Sequence, residues 1–124
     1  MWGKFQEVLI ERVAPQVISG FLGNYSITEL RWAVDNNFDL LKAFRENNVQ
    51  AFKFVQSISH EYSDKSDIFS VTSILGLIEK SRPDLVNEIR NSPKTRAWFD
   101  QQLYNFKMAL FNGGNTNGFG AQAT

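Results

Sequence analysis

Residues 92–111 read SPKTRAWFDQQLYNFKMALF, and this stretch decides the fold class. Phe99, Leu103, Phe106 and Leu110 follow one another at steps of four, three and four, the spacing that lines up side chains along one face of an α-helix. Ser92 is placed to cap the helix, and Pro93 falls in its first turn, where a missing amide hydrogen costs nothing. The spacing predicts a helix near 93–111, long enough to need several others packed around it.

Moving toward the amino terminus, Ser81-Arg82-Pro83-Asp84 repeats the serine-then-proline start and predicts a capping serine and a short helix near 83–90. Ile68, Val71, Leu75 and Ile78 form a further helical stripe, with Gly76 a weak point inside it. Phe38, Leu41 and Phe44, then Phe52, Val55 and Ile58, keep the same spacing on either side of Asn47-Asn48, as two short helices or one interrupted one. Asp35-Asn36-Asn37 predicts a pause, because short polar side chains compete for the backbone and tolerate left-handed turns.

The clearest start signal precedes that pause. Ser26 is placed to cap, Glu29 three residues later to reach back, and Tyr25 to staple onto Leu30. Upstream, Phe5, Leu9, Val13, Val17 and Phe21 predict a helix from about Trp2 to Phe21, kinked or restarted at Pro15 and ended by Gly23. Strand-like alternation and repeats are missing from the letters. The chain is therefore expected to be all-α: a compact bundle of five or six short helices forming a single domain over residues 1–111. Residues 112–124, NGGNTNGFGAQAT, hold four glycines and little that is apolar, which predicts a disordered, flexible tail.

Composition removes whole classes of chemistry. With no cysteine, thiolate metal sites, disulfides and cysteine nucleophiles are out of reach. His60 is the single histidine. A metal or acid–base cluster there would need Glu61, Asp64 or Asp67 in the adjoining loop, without a second histidine or a glycine-anchored calcium loop. Glu7 with Glu11, and Asp84 with Glu88, are four residues apart on expected outer faces and read as solvated surface. No glycine-rich phosphate loop is present. An enzyme, a bound cofactor and a small-molecule substrate are accordingly not expected. No run approaches the ~20 apolar residues of a membrane span. The first segment balances Lys4 and Arg12 against Glu7 and Glu11, unlike a basic interfacial helix, so membrane attachment is not expected and a cytoplasmic location is the simpler reading.

Two function classes remain. The first is a non-catalytic assembly or interaction subunit. Trp98, Tyr104, Met108 and Phe111 lie outside the central stripe of the last helix, and large side chains on a helix flank serve as anchors for a partner protein or a second copy. The alternative is a nucleic-acid-binding module. Basic and acidic residues are equal at 13 each, but residues 1–79 hold 7 basic and 10 acidic side chains, whereas residues 80–124 hold 6 and 3. Within that basic half, residues 82–107 form a helix-turn-helix-like unit, with Arg90, Lys94, Arg96 and Gln101 placed to meet phosphates or base edges, and Gln102 and Asn105 of the same chemical kind beside them.

Overall fold

The computed structural model describes residues 15–59 and 70–111. Every regular element among them is helical. Helical residues 15–23 form α1, followed by α2 (Ile27–Asp35), α3 (Leu40–Asn47), α4 (Val49–Ser59), α5 (Val71–Glu79), α6 (Pro83–Asn91) and α7 (Pro93–Phe111). The described residues thus hold seven helices against the five or six expected. The extra division falls at Asn48, whose backbone (φ −135°, ψ 54°) leaves the helical region for one residue and splits α3 from α4. Residues 2–14 of the helix expected from Trp2, Ile68 of the Val71 stripe, the loop around His60 and the tail at 112–124 lie outside the described residues.

Local chemistry accounts for most helix ends. At the start of α2 the Ser26 hydroxyl accepts from the Glu29 amide at 3.0 Å, while the Glu29 carboxylate accepts from the Ser26 amide at 2.8 Å. Two amide donors that the helix cannot use are thereby satisfied. At its other end Asn37 takes φ 49°, a left-handed conformation that asparagine enters more readily than most residues. The Asn37 amide then bonds to Val34 O at 3.2 Å and the Phe38 amide to Ala33 O at 2.8 Å, the paired closure of a Schellman motif. Asp39 caps α3 through Lys42, Ser70 caps α5 through Ser73, and Ser92 caps α7 through Thr95. One start differs from expectation: α6 is entered through Arg82, with no side-chain cap, and Ser81 lies one residue too early to serve. The Arg82 guanidinium instead donates to Gly23 O at 2.6 Å and grips Asp84, pinning the end of α1 to the start of α6.

Helix α7 runs through the middle and packs against α2, α3, α4, α5 and α6. Phe99, Leu103, Phe106 and Leu110 are all buried, as the stripe predicts, and Trp98 and Ala109 are buried beside them. A helix with neighbours on several sides needs a wider apolar arc than one facing a single layer. Phe44 is the centre of the aromatic packing, meeting Phe21, Phe52 and Phe106 edge-on at centroid distances of 5.2, 6.4 and 5.4 Å. From Phe21 the series continues outward to Tyr25 at 5.7 Å. An unbroken run of rings therefore connects the core to the surface beside α2.

Candidate interaction surface

The α7 flank is not one surface. Trp98 is only 6% exposed, and its indole N–H donates to Phe38 O at 3.1 Å. Its ring belongs to this chain's core, which removes it from the expected partner interface. Tyr104 is 47% exposed and Met108 half-buried, while the side chain of Phe111 lies outside the described residues. Of the two described rings among them, that of Tyr104 faces outward.

The residues of the nucleic-acid alternative all lie on the surface, each beside a polar neighbour. Arg90 stands 3.6 Å from Glu79, Lys94 lies 2.9 Å from Asp35, and Arg96 lies 3.1 Å from Asp100. Gln101 donates to Asn105 at 3.0 Å. Exposed pairs of this kind are weak, but three carboxylates this close flatten the positive field that a phosphate backbone would meet. Gln102 faces inward and is structural, which corrects its grouping with the base-reading side chains. Only Ser92 stands between α6 and α7, a shorter connection than the three- or four-residue turn of a helix-turn-helix.

The most exposed large apolar side chain among the described residues is Trp32, at 56%. It belongs to an open pocket of about 480 Å³ lined by Tyr25, Thr28, Glu29, Trp32 and Phe38. Leu30, Ala33 and Val34 turn inward and seat α2 on the core, leaving Thr28, Glu29 and Trp32 on the outer side. Phe38 closes the pocket because the Schellman turn folds it back onto Trp32, with ring centroids 5.7 Å apart. The Trp98 indole holds the Phe38 carbonyl from below. Tyr25 is fixed at the other end by Phe21 and by its position just ahead of the capping box.

Charge in this pocket is one-sided. The backbone amide and hydroxyl of Ser26 hold the Glu29 carboxyl below its ordinary value of 4.5, so it stays ionised near neutrality. Burial, and secondarily the Glu29 charge, push the Tyr25 phenol up, which keeps it neutral. Two basic residues described nearby turn elsewhere: Arg31 donates to Glu88 at 2.9 Å, and Lys94 to Asp35. A second cleft of about 470 Å³, between α1 and the α5–α6 turn, is lined by Gln16, Ser19, Asn24, Lys80 and Arg82 among others. Among the described residues its lining holds no carboxylate to pair with these cations in acid–base work, and the Asp84 that Arg82 holds is outside it.

Off-stripe position is the signal that singles out Trp32. Applied to α2 as it was to the last helix, it marks Trp32 as the aromatic lying outside Leu30, Ala33 and Val34. What it does not supply is Phe38, which reaches the pocket only through the turn.

Among the described residues no three metal-ligating side chains come together, and no helix is long and apolar enough to cross a membrane. No family model, curated protein or solved structure matches the chain.

Proposed function

We propose that this chain is a non-catalytic, cytoplasmic protein-interaction module that docks a partner protein on the aromatic face of α2. One observation carries the reading: Trp32 remains 56% exposed although both ends of its helix are firmly closed. Fully burying a large apolar side chain is worth ~1.5–3 kcal/mol, and at 56% exposure the described part of the fold leaves a share of that stabilisation unused. Large, pre-positioned aromatics in a pocket are the usual centres of binding energy at interfaces, since little conformational freedom is lost when a partner covers them. Tyr104 on α7, with Phe54 and Val49 on α4, supplies further exposed apolar surface.

The test is a photo-crosslinking amino acid introduced at Thr28, on the pocket rim, and irradiated in cells of the native source. A discrete adduct with one protein, lost when Trp32→Ala is added, is the expected result. Light scattering of the purified chain across a concentration series then separates a second copy from a different partner. Irradiation that leaves only unadducted chain would remove this surface from consideration.

A further inference from the structure

Resting on that reading of the surface, we infer that the Tyr25–Trp32–Phe38 pocket receives an arginine side chain of the partner protein, its guanidinium stacked against Trp32 and forked onto the Glu29 carboxylate. Three aromatic residues line one opening, and the face of an indole is the most attractive of the aromatic surfaces to a cation. Glu29 adds a full negative charge to the same lining. Its Oε1 accepts from the Ser26 amide, and its second oxygen has no hydrogen-bond partner among the described residues.

An apolar guest fits this lining less well. Pressing a leucine or phenylalanine into the pocket would take the ionised Glu29 out of water with only the Ser26 hydrogen bond to offset it, an unfavourable change that grows with the tightness of the seal. A cation removes that penalty while using the same rings. Between the two long basic side chains, arginine matches better: its planar, weakly hydrated guanidinium stacks on an aromatic face and offers parallel N–H groups to a carboxylate, whereas a lysine ammonium is a compact, strongly hydrated point. The surroundings leave room for a cation from outside, since Arg31 and Lys94 are directed to Glu88 and Asp35.

The probes are the capped tripeptides acetyl-Gly-Arg-Gly-amide and its citrulline counterpart, which keeps the shape and loses the charge. Each is titrated into the full ¹⁵N-labelled chain while the Trp32 indole N–H resonance is followed. The arginine peptide is expected to shift that resonance saturably, and the citrulline peptide to bind roughly tenfold more weakly. Glu29→Gln keeps a capping-box side chain while removing the charge, so this variant should fold and lose most of the preference for arginine. Equal binding of both peptides, or an unmoved Trp32 resonance with arginine, would overturn the inference. The two proposals fail separately. A Thr28 adduct that survives Glu29→Gln but not Trp32→Ala leaves the docking surface standing without its guanidinium. Arginine binding with no adduct in cells removes the docking role and keeps the pocket chemistry.

Discussion

The side-chain oxygen of Gln102, on α7, accepts the backbone N–H of Leu40 at 2.8 Å, so the central helix supplies a cap to the first turn of α3. Both residues are buried, Gln102 at 3% exposure and Leu40 fully. A buried amide donor left without an acceptor costs about 1–3 kcal/mol, more than the net worth of an ordinary hydrogen bond. Gln102→Ala is therefore expected to destabilise the chain by at least ~2 kcal/mol once lost packing is included. Urea unfolding with an unchanged slope would measure it, and a loss below ~0.5 kcal/mol would show that water replaces the amide oxygen.

The capping box makes a prediction about acid. Glu29 is ionised in the folded chain to a lower pH than it would be unfolded, because Ser26 hydrogen-bonds to its charged form. A carboxyl with a depressed folded-state value adds stability above its unfolded value, and that stability fades as pH falls through the folded one. Its share should thus be intact at pH 7 and decline below about pH 4.5. In Ser26→Ala, stability at neutral pH should drop by about 1 kcal/mol for the lost cap. The part of the acid dependence belonging to Glu29 should shrink as well. Thermal melts of both chains between pH 3 and 7 would test this, and parallel pH curves would contradict the coupling.

Gly20 and Gly76 sit inside helices where, among the described residues, nothing outside the neighbouring helix backbone lies within 4 Å of an added Cβ. Neither is needed for close packing. Each glycine costs its helix roughly 1 kcal/mol relative to alanine through backbone entropy. Gly20→Ala and Gly76→Ala should each raise stability by about 0.5–1 kcal/mol, and together by nearly the sum if the sites are independent. Denaturation midpoints of the two single variants and the double variant supply the measurement. A destabilised variant would mean that the site meets something beyond the described residues.

For nucleic acid the expected outcome is weak and non-specific. Glu79, Asp35 and Asp100 lie against Arg90, Lys94 and Arg96, and the whole chain has no net charge. A mobility assay with DNA and RNA near physiological salt should show no shift that the triple variant R90A/K94A/R96A abolishes. Binding whose logarithm falls with the logarithm of salt at a slope near −3, and flattens in that variant, would establish those three as phosphate contacts.

The α-helical class, the α2 capping box, the left-handed turn at Asn37, the Ser92 start and the inward stripe of α7 are legible in the letters, because each depends on residues within about four positions of one another. Such neighbours meet whatever the rest of the chain does. Which of the aromatics on the α7 flank face outward is not legible there. Trp98 and Tyr104 both lie off the Phe99 stripe, and their sequence positions do not say that Phe38 would arrive beneath one and that nothing described would cover the other. Gln102 likewise reads as a surface polar residue until α3 is brought against it.

The amino-acid order by itself therefore determined that this chain coils into helices, and roughly where each one starts and stops. Only the tertiary arrangement decided which aromatics were enclosed, that Gln102 turned inward, and that Tyr25, Trp32 and Phe38 came to share one pocket. The reason is range. Helix periodicity and capping are settled by hydrogen bonds a turn apart, whereas burial is settled by partners such as Trp98 and Phe38, sixty positions apart along the chain and joined only after folding.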